Sequence, residues 1–349
     1  MIGVLEGAAD LRTEAREAFA RALAGFAPDR PALVVSHFDA DGLSAAAVLG
    51  RGLGRPAEVR ITGKGETPWD PAFREELEAR RPGGLILADL GTRAEPVLPG
   101  RPTVVIDHHV PTGAPEGATV ISGNGLDPEP TSALLAYWAV GSPEDLLWLP
   151  ALGLIGDMAD EDWPELRAAQ ERYGKTALKD ATSLVNAPRR TAAADASPAL
   201  ALLMRGDGPK VVTKDASPER DALLAAKAEV AAELDAAKRV APKVAGEVAL
   251  IRFHSPAQIH PLIAQQWRGR LKDKIVIAAN SGYRPGWVHF AARSATGRDL
   301  VEFLAEHRPE GADSRYGSGH AQATGGALRL PEWNSFAERI GFPEAKVAA

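Results

Sequence analysis

His37, Asp39 and Asp41 stand at alternate positions in the run Ala-Leu-Val-Val-Ser-His-Phe-Asp-Ala-Asp-Gly, residues 32–42. Imidazole and carboxylate side chains this closely spaced, on a segment too short to form a core, suit a divalent cation held by nitrogen and oxygen. Alone, the stretch also fits a polar turn, because Asp and Gly are common turn residues. The pattern recurs. Gly84–Ala88 runs into Asp89-Leu90-Gly91, and Thr103–Ile106 runs into Asp107-His108-His109. A turn explanation must then account for three separate endings of one kind. With no cysteine in the chain, thiolate ligands, thiolate nucleophiles and disulfides are excluded, and any metal must be held by His, Asp or Glu.

Each of these endings follows a short apolar run with the length of a buried strand. In a doubly wound, mainly parallel sheet, ligands bind in the crevice beyond the carboxyl ends of the strands, so the three tips would converge there. The intervening segments support that α/β class. An amphipathic helix is expected over 9–26, with Leu11, Ala15, Phe19, Leu23 and Phe26 on one face. A helix over Leu43–Leu49 starts directly behind the first ligand cluster, where its N-terminus would favour an anion. A strand over Glu58–Ile61 and a helix over Pro71–Arg81 precede Asp89, and a Pro/Gly-rich loop over Pro111–Pro130 precedes a helix over Thr131–Val140. Leu146–Asp160 reads as a buried helix carrying Asp157 and Asp160 at its end. A carboxylate on so apolar a helix needs a partner, which makes Asp157 a further ligand candidate.

At 349 residues the chain exceeds one ordinary domain. Ser217 caps a helix with Pro218 in its first turn, running to about Val240, roughly 35 Å long. That helix divides the chain into a domain over 1–216, a connector over 217–241 and a second, smaller α/β domain over 242–349. The last part carries strand-like runs at Val248–Phe253, Ile275–Ala279 and Trp287–Ala292, with helices at Leu262–Leu271 and Gly297–His307. It then reaches Tyr316-Gly-Ser-Gly-His-Ala-Gln-Ala-Thr-Gly-Gly326, where four glycines around His320 suggest a backbone that approaches an anionic ligand closely.

Charge follows the same division. Residues 245–349 carry 13 Lys and Arg against 10 Asp and Glu, whereas residues 1–244 carry 27 against 36. The overall charge of −6 disfavours a large non-specific nucleic-acid surface. Arg268, Arg270, Lys272 and Lys274 form a basic cluster that suits a solvated helix face or a phosphate contact equally. No run reaches membrane-spanning length, and the N-terminal residues lack a signal-peptide pattern, so a cytoplasmic protein without membrane partners is expected.

With His37-Phe-Asp-Ala-Asp-Gly42, Asp89, Asp107-His-His109 and Gly153-Leu-Ile-Gly-Asp157 in this order, the N-terminal part resembles the DHH phosphoesterase superfamily. The Gly-Ser-Gly-His run, with Gly319 and His320, and the preceding Arg293-Ser294 resemble motifs of its C-terminal DHHA1 domain. Asn186-Ala-Pro-Arg-Arg190 resembles the Asn-Ala-x-Gly-Arg segment of RecJ-like nucleases, with Arg189 in place of the glycine. The Lys/Arg-rich C-terminal motif of the related pyrophosphatases is not found.

The resemblance implies a two-metal phosphodiesterase acting on single-stranded DNA or short oligonucleotides from one end. Asp89 would bridge two divalent ions, with His37 and Asp39 on one and Asp41, His108 and Asp157 on the other. His109 would face the scissile phosphate, and Asp107 would orient His108. The mixed ligands suit manganese, with magnesium or cobalt as substitutes. Arg190, Arg293, Ser294, Gly319 and His320 would hold substrate. Two alternatives stand beside this: a phosphatase or phosphodiesterase for small nucleotides or cyclic dinucleotides, and a non-catalytic nucleic-acid-binding replication or repair factor.

Overall fold

The structure is a computed structural model that describes residues 8–159, 163–313 and 315–348. Of residues 8–10, 318 and 320 only the backbone is described. Asp160, which the sequence pattern set beside Asp157, lies outside the described residues. The chain forms two compact units, one of residues 1–189 and 193–225, the other of residues 190–192 and 226–349.

The first unit contains α1 (Ala8–Leu23), β1 (Ala32–Ser36), α2 (Ala40–Gly52), β2 (Ala57–Ile61), α3 (Pro71–Ala79), β3 (Gly84–Ala88), β4 (Thr103–Asp107) and β5 (Thr119–Ser122). There follow α4 (Ser132–Ala139), α5 (Trp148–Gly156), α6 (Pro164–Tyr173), α7 (Lys175–Val185), α8 (Ser197–Arg205), α9 (Lys210–Lys214) and the start of α10 (Pro218–Ala237). Its five strands are all parallel, in the order β2-β1-β3-β4-β5. Side chains alternate between two cores. Val34, Ile86, Val104 and Ile106 pack against α1, α2, α4 and α5, whereas Leu33, Val35, Leu85, Leu87 and Val105 pack against Phe73 and Leu77 of α3. The strands are buried on both faces, which is why they read as continuous apolar runs. The chain leaves β1 for β2 on one side and returns to β3 on the other, so the strand order reverses between β1 and β3. An open α/β sheet binds its ligand at that switch point.

The second unit holds the end of α10, β6 (Lys243–Ala245), β7 (Val248–Phe253), α11 (His260–Arg268), β8 (Ile275–Asn280), β9 (Trp287–Ser294), α12 (Leu300–Glu306), β10 (Tyr316–His320), β11 (Ala323–Arg329) and α13 (Leu330–Arg339). Its sheet runs β10-β11-β9-β8-β7-β6, and only β7 and β8 pair in parallel. One face packs on α12 and α13 through Phe290, Phe303, Trp333 and Phe336, the other on α10 and α11 through Val230, Ile263, Val276 and Ala291. Among the described residues no helix is long and apolar enough to cross a membrane.

Several expected elements shift. The loop expected over Pro111–Pro130 contains β5, a short edge strand. The Gly-rich run around His320 is no open turn but the antiparallel hairpin of β10 and β11. Helix α2 starts at Ala40, three residues before the expected Leu43, so Asp41 lies within its first turn.

Candidate metal centre

The chain turns after β1 are fixed by close packing. Ser36, fully buried at the end of β1, donates from its hydroxyl to the carbonyls of Gly42 at 2.7 Å and Ala88 at 3.1 Å. The loop behind β1 is thereby tied to the end of β3. Asp39 caps α2 by accepting from the Gly42 amide at 3.0 Å, and Asn186 accepts from the Ala40 amide at 2.9 Å. A β-carbon on Gly42 would overlap the His37 carbonyl oxygen, and one on Gly153 would overlap Asp41 Oδ1. Gly153 thus lets α5 pass close to Asp41 and deliver Asp157 beside it.

Three ligand groups come together, each with its ligand atoms within 4.8 Å of one another: His37, Asp39 and Asp89; Asp41, His108 and Asp157; and Asp89, His108 and His109. The oxygens of Asp89 face different ways. Its Oδ2 lies 3.5 Å from His37 Nδ1 and its Oδ1 lies 3.7 Å from His108 Nε2. His37 Nδ1 is also 3.2 Å from Asp39 Oδ2, and His108 Nε2 is 3.4 Å from Asp157 Oδ2. Asp89 sits at φ +60°, a left-handed conformation that an aspartate tolerates better than most residues and that concentrates at functional sites.

The electrostatics show what this arrangement demands. Burial, then repulsion from Asp39, Asp41 and Asp157, pushes the Asp89 carboxyl well above its ordinary range. Burial and Asp157 push Asp41 up to about 7. Burial alone would lower His108, yet Asp157, Asp41 and Asp89 push it up to about 10. Its Nε2 is buried without a hydrogen bond of good geometry. Crowded carboxylates and an imidazole that must shed a proton to ligate are a donor set short of positive charge, and divalent cations supply that charge. The residues present fit divalent cations.

Several contacts around the cluster differ from sequence-based expectation or lay outside it. Asp107 does not orient His108; it holds His109. Its Oδ1 accepts from the His109 amide at 2.7 Å and the ring Nδ1 at 3.0 Å, and its Oδ2 accepts from the amides of Leu90 at 2.9 Å and Gly91 at 2.6 Å. The reason is a local turn: β4 ends at Asp107, whose carboxylate accepts the amide two residues on, and that turn brings the His109 ring to the same oxygen. His108 Nδ1 lies 3.4 Å from Glu129, a residue with no signal in its sequence context. Arg189 donates from Nη1 to Asp39 Oδ2, the oxygen that also faces His37. Burial would raise Asp39, but His37 and Arg189 hold it well below the usual carboxylate range. Asp41, in turn, accepts from the first amides of α4, Ser132 at 2.8 Å and Ala133 at 3.0 Å, and the Ser132 hydroxyl donates to Asp89 Oδ1 at 3.2 Å.

The candidate substrate contacts belong to the second unit. Arg293 is half-buried and donates from Nη1 to the carbonyls of Ala292 at 2.9 Å and Thr324 at 3.1 Å. Arg190 lies in the short 190–192 segment, where its carbonyl accepts from the Gln258 amide at 2.8 Å. Ser294 is fully buried, and its hydroxyl shares a 2.8 Å hydrogen bond with Thr296 and accepts from that residue's amide. It shapes the turn after β9 and is not presented to a ligand. Gly319 has φ +137°, and a β-carbon there would meet the Ala323 carbonyl oxygen at 2.6 Å, so it serves the hairpin. The His320 side chain is not among the described ones. Arg268, from the basic cluster, donates to the Ser294 carbonyl at 2.8 Å and to Gln322 at 3.0 Å.

No protein-family model matches the sequence, and none of the curated proteins compared with it does. Solved structures do. An exonuclease RecJ bound to manganese superposes with a TM-score of 0.66 at 21% identity, covering 96% of this chain and 97% of that one. The fold is that of RecJ-type DHH/DHHA1 proteins. RecJ from Thermus thermophilus in complex with manganese gives a TM-score of 0.69 at 21% identity over 97% of this chain, which spans only 55% of that longer one. The DHH domain of a member of a ribosomal-protein family gives 0.65 at 17% identity, covering 99% and 94% of the two chains.

Proposed function

We propose that the protein is a metal-dependent phosphodiesterase that hydrolyses single-stranded DNA or short oligonucleotides from one end with two divalent ions. The observation that carries this reading is the pair of carboxylate–imidazole groups on either side of Asp89, set at the strand-order reversal of a parallel sheet. His37, Asp39 and Asp89 would hold one ion, and Asp89, Asp41, His108 and Asp157 the other. Manganese suits this mixed set, with magnesium or cobalt as substitutes; the RecJ structures alike in fold carry manganese or magnesium. When bound, such a pair lowers the pKa of water and stabilises the attacking and leaving oxygens of an in-line displacement.

The chain's own groups supply the rest. Asp107, buried and accepting four hydrogen bonds, keeps its charge: burial raises its carboxyl, and His109 with the backbone amides more than reverses that. The hydrogen bond to Asp107 in turn raises His109 above the usual histidine range. The hydrogen bond to Asp107 thus orients His109 through Nδ1 and favours its protonated form, with Nε2 on the outer side of the ring, where it can steady a phosphate oxygen and give a proton to the leaving oxygen. Arg293 and Arg190 would hold a phosphate outside the reacting centre. A non-catalytic role would not require four carboxylates and two histidines to be crowded at this cost in charge repulsion.

The test is hydrolysis of 5′- and 3′-labelled oligonucleotides of several lengths with manganese, beside a duplex and a cyclic dinucleotide. Stepwise shortening of single strands that stops on adding EDTA is expected. Turnover confined to the cyclic dinucleotide, or unaffected by EDTA, would overturn the reading.

A further inference from the structure

Three separate pieces of backbone each bring an arginine to one indole in the second unit. Arg284-Pro-Gly-Trp287 is a β-turn closed by the Trp287 amide donating to the Arg284 carbonyl at 3.2 Å, with Gly286 at φ +77°. Proline second and a left-handed glycine third make it a type II turn, which fixes Arg284 beside Trp287. Arg329 is the cross-strand partner of Trp287 in the β9–β11 ladder. Arg315 immediately precedes edge strand β10. Their guanidinium carbons lie 5.7, 5.1 and 5.0 Å from the ring centroid, in the order Arg284, Arg329, Arg315.

Cation–π packing uses the face of a guanidinium and leaves its N–H edge for an anion. Three such cations repel one another. Arg315 has Asp313 at 3.4 Å, and among the described residues neither Arg284 nor Arg329 has a carboxylate partner. The chain therefore holds a cluster of three arginines with one carboxylate, net positive, around a partly exposed aromatic ring, built by a turn, a ladder pair and a strand start. Successive phosphates answer the guanidiniums, and an unstacked base answers the ring, the combination that single-stranded nucleic acid offers.

Position sharpens this. Trp287 and Arg293 lie six residues apart on β9, on the same face, since Val288, Phe290 and Ala292 point into the opposite core. At about 3.3 Å per residue that is roughly 20 Å. Ala291 between them is buried against α11, so a strand must pass around that helix, and about six nucleotides at about 3.4 Å each is the least that reaches. We propose that Trp287 with Arg284, Arg315 and Arg329 is a second binding site for single-stranded nucleic acid, engaged only by strands long enough to reach it from Arg293. This rests on the phosphodiesterase reading for the role of Arg293 but is tested apart from it.

Metal-free protein in EDTA, where no strand is cut, would be titrated with labelled three- and twelve-nucleotide thymidine strands. The triple variant Arg284→Gln, Arg315→Gln, Arg329→Gln should lose at least about tenfold in affinity for the twelve-mer and less than about twofold for the three-mer. Its log–log salt slope should become shallower by about 2, at about 0.7 per phosphate released. The triple Arg→Lys variant keeps charge without planar stacking and should fall between; it also serves if the Gln variant misfolds. Equal losses on both lengths, or a twelve-base-pair duplex bound as tightly as the single strand, would overturn the site. If the wild type prefers the twelve-mer and the triple variants keep that preference, the site fails while the phosphodiesterase reading stands. If the wild type binds no strand of any length, both fail.

Discussion

The two sheets place charge at strand ends in opposite ways. In the first unit β1, β3 and β4 are parallel, and their carboxyl ends deliver Asp39, Asp89 and Asp107 to one buried place, with Asp41 and Asp157 joining from helices. In the second, the antiparallel β9, β11 and β10 bring arginines around a partly exposed tryptophan. Buried like charges cannot be relieved by solvent or mobile salt, so they call for counter-charge at fixed positions, a metal ion. Exposed cations are screened within about 8 Å at physiological ionic strength and suit a long, mobile polyanion. The two regions should therefore fail under different treatments: the first under chelation, the second under salt.

The largest effect should come from Asp89, whose two oxygens face the two halves of the cluster. Asp89→Asn should reduce hydrolysis to background while leaving the metal-free protein at least as stable as wild type, because one of several mutually repelling buried carboxyls becomes neutral. Manganese at a hundredfold excess over its dissociation constant should stabilise the wild type by about 2.7 kcal/mol for each ion bound, and the variant by much less. Melting with and without manganese measures both. A variant that still binds two ions, or still gains the full stabilisation, would remove Asp89 from the centre of the cluster.

A smaller effect should divide the cluster from within. His109→Ala should keep its metal and lose about 10²–10⁴-fold in turnover, as expected of a positioned acid. Asp107→Asn should approach that loss, since Asp107 holds the ring. Their pH profiles carry the sign. His109 acts in its protonated form, and Asp107 raises its pKa, so wild-type turnover should decline as pH rises through a value above the ordinary 6.5 of histidine. Asp107→Asn should bring that decline down towards 6.5. Loss of a bound ion in His109→Ala would instead make it a ligand beside Asp89 and His108, the third group that the geometry allows.

Most of the centre was legible because it is local. β-branched runs of strand length end in acids or imidazoles, and the parallel-sheet rule then gathers the three tips. The Asp107–His109 pairing follows from aspartate's habit of accepting the amide two residues on, but the Asp-His-His motif drew attention to the wrong neighbour. Other features needed the tertiary structure. The hairpin of β10 and β11 is rich in glycine and poor in β-formers, and pairing with β9 overrides that weak local preference. Thr119–Ser122 is too short and too polar at its edges to stand out from a Pro/Gly-rich loop. Helices α6 and α7 fell in a stretch whose alanines and polar residues show little apolar contrast, although Trp163-Pro164 marks the start of α6. Trp287 and its arginines come from three segments up to 45 residues apart, and no motif links them.

The smallest predicted effect concerns Arg189, which stands where the resembling nucleases have glycine. Its guanidinium bonds to Asp39 Oδ2, the same oxygen that faces His37, so a cation entering between His37, Asp39 and Asp89 meets a resident positive charge and competes for that carboxylate. A neighbouring unit charge at an effective dielectric of about 20 is worth a few kcal/mol at contact distance, less once the side chain swings away, so the net penalty on metal binding should be on the order of tenfold. Titration calorimetry on EDTA-stripped protein should then resolve two unequal manganese sites in the wild type. Arg189→Gly should tighten the weaker one by about tenfold and leave the stronger one, at Asp41, His108 and Asp157, within about twofold. Arg189→Lys keeps the charge and should resemble the wild type. If glycine and lysine behave alike, the charge at position 189 does not set the affinity, and the asymmetry between the two halves of the cluster must come from their ligands alone.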